Sequence, residues 1–213
     1  MVVTKTSFLR RWYKKVLNTP FVWSAIQNFF GSNQFKHGLY PELVKGSGRL
    51  LDFGCSVGNC TEGFLDFEYH GVDLDETAIA GARERWKGTP HVEFHALDIV
   101  KDGYKKDYFD HVLFACTGHH LTNEELPQVF DALLKTLKPG GVIHFIDNIR
   151  TPGKDRLITR VLMRMDQGKF IRSAETYDAF FREKNLRVEE RKILHSPDAF
   201  IKLTDMLYAR IKK

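Results

Sequence analysis

The chain has 213 residues, 43% hydrophobic and 28% charged, enough to bury one full core and ordinary for a globular domain. It holds no low-complexity tract, no convincing internal repeat and no apolar run near the ~20 residues that span a bilayer. Its N-terminus lacks a signal-peptide h-region and cleavage site, and so points to a cytoplasmic protein. The net charge of +5 is uneven: residues 1–48 carry seven Lys and Arg against Glu42 alone, a balance of +6, which leaves −1 for the remainder. A basic segment of this kind serves either an anionic partner or, more commonly, a solvated helix face. The three cysteines, Cys55, Cys60 and Cys116, form no CxxC, which argues against a disulfide framework and against a zinc ribbon. Cys55 and Cys60 read as small packing residues.

In chain order, helices are predicted over 7–18 and 20–31. Thr19-Pro20 is a start signal and Gly31 a stop. The second carries Phe21, Val22, Ile26, Phe29 and Phe30 at helical spacing, a face suited to lying on the main domain or covering a pocket. Contact with a membrane surface through it stays open. Residues 1–48 are therefore expected to form a helical lid or extension, and 49–213 the main domain.

From Arg49 onward, short apolar strands alternate with helices. Leu50–Phe53 is a strand and 59–66 a helix; Tyr69–Asp73 is a strand and Glu76–Trp86 a helix. His91–Ala96 and Phe109–Ala115 are strands, with a helix over Asn123–Leu137. The turn Lys138-Pro139-Gly140 leads into a strand over Gly141–Asp147. Helices over Lys154–Met165 and Ala174–Lys184 precede strands near Leu186–Leu194 and Asp205–Ile211. No full helix fits between the last two, so the final strand is expected to hairpin back antiparallel. This is the pattern of an α/β, doubly wound, Rossmann-like sheet of seven strands, mostly parallel.

In such a sheet ligands bind beyond the carboxyl ends of the strands. The first strand ends in LLDFGCSVGN (Leu50–Asn59), where glycines keep the backbone open to close approach. Asp73 lies 19 residues beyond Gly54, the spacing at which an acid commonly accepts ribose hydroxyls. The loop is Asp52-x-Gly54-x-Ser56-x-Gly58, without a Walker lysine. An acid just before it would repel a diphosphate but suits a ligand carrying an ammonium group.

This loop resembles motif I of the class I S-adenosylmethionine-dependent methyltransferases, (D/E)xGxGxG. GVDLDETAI (Gly71–Ile79) looks like their second motif and HALDI (His95–Ile99) their third. FDHVLFACTGHHLTN (Phe109–Asn123) is similar to their HHL segment, and LKPGGVIHFID (Leu137–Asp147) to their fifth-strand turn and strand. The order and spacing match over Leu50–Asp147. The resemblance implies S-adenosyl-L-methionine as cofactor. Asp52 would face its ammonium group or tie the loop together. Gly54, Cys55, Ser56 and Gly58 would cradle its methionyl part, and Phe114 would complete the set. Asp73 would hold the ribose hydroxyls and Leu74 the adenine face, with Asp98 on the adenine amino group and Ile99 on its ring. Ser56 departs from the family's middle glycine.

The activated sulfonium methyl needs alignment more than acid–base work, and a base only for a hydroxyl or protonated amine. His119 is the candidate base and His120 a structural residue pointing inward. Asn148 and Arg150 suit either the acceptor side or a solvated loop. His37, His144 and His195 read as surface or packing residues. The segment after the fourth strand lacks (N/D)PPY, Cys116 is not in a Pro-Cys pair, and no His/Cys/Asp spacing suggests a metal. A small, apolar or aromatic methyl acceptor is expected, O- or N-methylated in line. An RNA or protein methyltransferase using the basic N-terminal segment, or a non-catalytic cofactor-binding scaffold, remain the alternatives.

Overall fold

The computed structural model describes residues 32–151, 170–195 and 205–213. The helices predicted over 7–18, 20–31 and 154–165 lie outside them. The first described element is a helix the sequence reading did not anticipate, α1 (Ser32–Leu43), with Pro41 in its last turn. Tyr40 and Val44 are buried against Leu50, Phe64 and Tyr69, so the packed body of the domain begins before residue 49.

The sheet runs β1 (Gly48–Phe53), β2 (Phe67–Asp73), β3 (Val92–Ala96), β4 (Phe109–Ala115), β5 (Leu137–Ile149), β6 (Arg187–Leu194) and β7 (Asp205–Lys212). Its spatial order is β3-β2-β1-β4-β5-β7-β6. The first five strands are parallel to their neighbours, and β7 is antiparallel to both β5 and β6, as the missing helix between the last two strands predicts. Parallel strands covered on both faces are apolar throughout, and seven consecutive residues of β5, from Gly141 to Asp147, are buried. β6, an edge strand, reads RVEERKIL and is largely exposed; its charges discourage pairing with another chain.

Two apolar cores lie on opposite faces. One packs Leu126, Val129, Phe130 and Leu133 of α3 (Glu125–Thr136) with Tyr177 and Phe181 of α4 (Ala174–Glu183) against Phe114, Phe145 and Leu207. The other packs Tyr40 of α1 with Ile79 and Ala82 of α2 (Glu76–Arg85) against Leu50, Tyr69 and Leu113. Local chemistry fixes where the helices start. Asp75 accepts from the amides of Thr77 (2.8 Å) and Ala78 (3.1 Å) at the head of α2. Before α3, Thr122 and Glu125 exchange side-chain-to-backbone bonds as a capping box.

Two boundaries differ from expectation. The helix predicted over 59–66 is a single 3-10 turn, Thr61–Phe64. The predicted turn at Lys138-Pro139-Gly140 is a bulge within β5: Phe109 faces Leu137 but His111 already faces Val142, so Lys138–Gly141 loops out.

His144, on β5, is a packing residue with an acid-sensitive consequence. It is 2% exposed, with Nε2 3.2 Å from His111 Nδ1 and Nδ1 3.2 Å from the Tyr208 hydroxyl. Burial holds its pKa down to about 3, below the ordinary value of about 6.5. The unfolded chain therefore takes up a proton that the folded chain refuses. The stability is fully present above about pH 6.5 and is lost as pH falls toward 3, at up to one proton, or about 1.4 kcal/mol per pH unit. Urea unfolding at a series of pH values between 7 and 4 should show this slope, and His144→Gln should flatten it; equal slopes would remove the assignment.

Candidate active site

The parallel pairing of β1 to β5 brings their carboxyl ends to one edge of the sheet. The order changes direction between β1 and β4, the switch point at which such sheets open a crevice. The loop after β1 is folded by alternation of backbone sign: Gly54 (φ 78°), Ser56 (50°) and Gly58 (70°) are left-handed, with Cys55 and Val57 between them on the ordinary side. Such alternation turns successive N–H groups toward one side.

The close neighbours that demand glycine are the protein's own. A Cβ on Gly54 would lie 2.3 Å from Thr117 Oγ1 and 2.8 Å from its Cγ2. One on Gly58 would lie 2.8 Å from Trp86 Nε1 and 2.9 Å from Phe94. Trp86 Nε1 also donates to Gly58 O at 3.1 Å. Several loop amides are committed internally: Gly54 N and Cys55 N donate to Val72 O, Ser56 N to Asp73, and Gly58 N to Cys55 O. With only one 3-10 turn behind the loop, the helix N-terminus expected there is far shorter than a full helix would supply.

Asp73, at the end of β2, joins the two loops. Its Oδ2 accepts from Ser56 N at 2.9 Å and its Oδ1 from Asp75 N at 3.0 Å. Beside it Leu74 is 71% exposed, an apolar side chain standing in the crevice mouth. Asp98, after β3, caps its own turn through the amides of Val100 (3.0 Å) and Lys101 (3.3 Å), and Lys101 Nζ lies 3.0 Å from it. That ammonium holds the Asp98 carboxyl below its ordinary pKa. Asp52 is buried on β1 and takes the Tyr69 hydroxyl at 2.5 Å. Burial and the neighbouring Asp52 push the Tyr69 phenol far up, so it stays a donor.

The segment after β4 carries the second cluster. Gly118–His120 forms a 3-10 turn in which His119 is buried and His120 exposed, the reverse of the sequence expectation. Gly118 permits the approach, since a Cβ there would meet Asp147 Oδ2 at 2.7 Å. His119 Nδ1 is 2.5 Å from Asp147 Oδ1, and the Tyr177 hydroxyl donates to Asp147 Oδ2 at 2.5 Å. Burial, then the adjacent carboxylate, raise the Tyr177 pKa well out of reach. Arg172 locks the turn from below, donating to Gly118 O (3.0 Å), Leu121 O (2.8 Å) and Asn123 Oδ1 (2.9 Å).

Residues 50–141 match the family model described as "Methyltransferase domain". Curated relatives include a phosphoethanolamine N-methyltransferase of Triticum aestivum, 26% identical over 80% of this chain and 34% of its own. Another is phosphoethanolamine N-methyltransferase 1 of Arabidopsis thaliana, 32% identical over 66% of this chain and 28% of its own. The chain thus spans about a third or less of these relatives. Among solved structures, an S-adenosylmethionine-dependent methyltransferase of Leishmania major superposes with TM-score 0.64 at 20% identity, covering 93% of this chain and 76% of the other. The N-methyltransferase NodS of Bradyrhizobium japonicum WM9, in complex with S-adenosyl-L-homocysteine, gives 0.61 at 22%, covering 92% and 90%. Residues 50–141 are thus similar to a methyltransferase domain, on a fold shared with S-adenosylmethionine-dependent methyltransferases.

In this domain the crevice edge gathers Asp52, Gly54, Ser56, Gly58, Asp73, Leu74, Asp98 and His119 on the loops or strand ends expected for them. Three predicted contacts have a different setting. Phe114 is fully buried, its ring edge-on to Phe53 at 5.1 Å and to Phe145 at 5.2 Å, because its side chain points into the core rather than the loop. Ile99 is 3% exposed in the same core. Cys55 is 5% exposed under Gly71, and burial pushes its thiol far up, which fits a packing residue. Asn148 donates its backbone amide to Asp147, and Arg150 is exposed. Tyr177 and Arg172 were not singled out from sequence, and Asp147 only as the start of the strand end Asp147–Arg150. Only the position of Asp147 at the end of a strand offered a signal, since its partners lie 28 and 30 residues away.

If Thr117 is what requires glycine at 54, Gly54→Ala should destabilise the protein by about 2 kcal/mol or more, from overpacking and left-handed strain. Thr117→Ala in the same chain should recover part of that loss by removing the two nearest atoms. Denaturant melts of the two variants check it, and an unchanged Gly54→Ala midpoint would show that the close approach is not needed.

Proposed function

We propose that the chain binds S-adenosyl-L-methionine across the β1–β4 crevice and transfers its methyl group to a small amine. What carries this reading is the gathering, at one sheet edge of a methyltransferase domain, of a left-handed glycine loop, an acid at the end of β2 and a histidine–aspartate pair after β4. The names of the curated relatives favour an amine bearing a phosphate, phosphoethanolamine, as the first acceptor to assay. The apolar acceptor expected from sequence rested on the N-terminal helices, which lie outside the described residues.

In this reading Asp73 accepts the ribose hydroxyls. A carboxylate has about four acceptor positions and the two amides use two of them. Leu74 covers one face of the adenine, Asp98 borders its far side, and the loop over Gly54–Gly58 lies along the methionyl part, whose ammonium group falls toward Asp52. The amine lone pair attacks the methyl carbon as the carbon–sulfur bond breaks, and the electron pair stays on sulfur as S-adenosylhomocysteine leaves. The acceptor is an ammonium near neutral pH, so it must first give up a proton to free that lone pair, and this is the proton a base takes. With Nδ1–H given to Asp147, the His119 lone pair is on Nε2, the arrangement in which a carboxylate orients an imidazole as base.

Calorimetric titration with S-adenosylmethionine and S-adenosylhomocysteine should give micromolar binding of both, and a methyl-transfer assay should find turnover with phosphoethanolamine. Asp73→Ala should weaken both ligands about tenfold or more, the worth of one to two charge-assisted hydrogen bonds. Binding without turnover of any acceptor would leave the scaffold alternative standing, and a folded protein that binds neither ligand would overturn the reading.

The base assignment has its own check. His119→Asn should lower kcat by about 10²-fold or more with cofactor affinity nearly unchanged. Full turnover in that variant would move the proton to solvent.

A further inference from the structure

Strands β2 and β3 form the far edge of the sheet, and alternate residues of each share a face. His70 pairs with Glu93 and Val72 with His95, so His70, Glu93 and His95 stand on one face of this pair. Among the described residues, their donor atoms form one group of three lying within 4.8 Å of one another. Glu93 Oε2 is 3.4 Å from His70 Nδ1 and 3.2 Å from His95 Nε2. A tetrahedral zinc ion with bonds of about 2.0–2.2 Å sets neighbouring donors about 3.3–3.5 Å apart, so these two edges are nearly those of a filled site.

The orientation of His70 supports the same reading. Its ring is buried, 1% exposed, and its other nitrogen, Nε2, lies 3.2 Å from Glu68 Oε1. Glu68 is itself held by Arg49 Nε (3.0 Å) and the Tyr108 hydroxyl (2.6 Å). A carboxylate behind a histidine fixes the tautomer with Nε2–H and turns the Nδ1 lone pair outward, the usual second layer of a metal site. Two donors of the protein lie against that lone pair: the Tyr104 hydroxyl at 3.0 Å and the Lys105 ammonium at 3.3 Å. The same ammonium is 3.7 Å from Glu93 Oε2. The cluster thus already collects a cation, one supplied by a partly exposed side chain that can swing into water.

We propose that His70, Glu93 and His95 form a binding site for a divalent transition-metal ion of the zinc class, with Lys105 as its built-in competitor. The ion is held by two imidazoles and one carboxylate, keeps a fourth position for water, and ties the edge strand β3 to β2. The spacing Glu93-x-His95 alone did not suggest a metal, because the third donor comes from another strand. The inference does not rest on the methyl-transfer reading.

The full chain, with any polyhistidine tag removed and stripped of metal, should be titrated with Zn²⁺ by calorimetry and with Co²⁺ by visible absorption. The expected result is one ion per chain at micromolar affinity, a four-coordinate Co²⁺ spectrum without a thiolate band, and a melting temperature that rises with Zn²⁺. His95→Ala and Glu93→Gln, both at exposed or half-buried positions, should each weaken binding about tenfold or more, and Lys105→Gln should tighten it. Circular dichroism would check that each variant is folded; His70 is left intact because it is buried. No saturable binding at micromolar Zn²⁺, equal affinity in the His95 and Glu93 variants, or a Co²⁺–thiolate band placing the ion on the cysteines would each overturn the proposal.

Discussion

A carboxylate with no exposed surface has to be met by donors from its own chain, and Asp147 is met from three directions. His119 reaches it from the turn after β4, Tyr177 from α4 and the Asn148 amide from its own strand. Leaving such a group half-satisfied costs about 3–5 kcal/mol, comparable with the whole net stability of a domain. The turn after β4 and the start of α4 are therefore bound to one point. Arg172 makes the attachment stiffer, since its guanidinium bonds the carbonyls of the same turn while its own residue is 8% exposed. The orientation of His119, buried while its neighbour His120 is exposed, follows from this pairing.

The glycine loop obeys a different constraint, that of space. Its two glycines, Gly54 and Gly58, are needed by Thr117 and by Trp86 and Phe94, and several of its amides close hydrogen bonds within the protein. The loop is thus shaped before any ligand arrives. Preorganisation of this kind lowers the ordering cost of binding, and it explains why a glycine pattern can be kept for packing as much as for contact.

The parts legible in sequence were those governed by neighbours in the chain. Apolar strands alternating with helices gave the sheet, and the missing helix before residue 205 gave the antiparallel β7. Placements that depend on distant partners were not legible. Nothing local distinguishes His119 from His120; the choice is made by Asp147, 28 residues on. Phe114 reads as a loop-adjacent residue until three other rings, Phe53, Phe130 and Phe145, are seen around it. The group of His70, Glu93 and His95 exists only through the register of β2 on β3. The helix expected over 59–66 shortened to one turn because Gly58 precedes it, Gly63 lies within it and only Thr61 and Phe64 of that turn are buried, too little apolar face to hold more.

Ser56 is the point where sequence and geometry pull apart, and magnitudes decide between them. Its left-handed backbone costs a side-chain-bearing residue about 1–2 kcal/mol relative to glycine. The conformation is held by the bond from the residue-56 amide to the Asp73 carboxylate at 2.9 Å, which a glycine there would make equally. Glycine would also lose more backbone entropy on folding, about 0.5–1 kcal/mol. The serine is therefore carried at a net cost of about 0–1.5 kcal/mol, and the bond to Asp73 sets the loop's shape whichever residue stands at position 56. The motif's middle glycine is one way to reach that conformation, and an acid at the end of the next strand is enough to hold another residue in it.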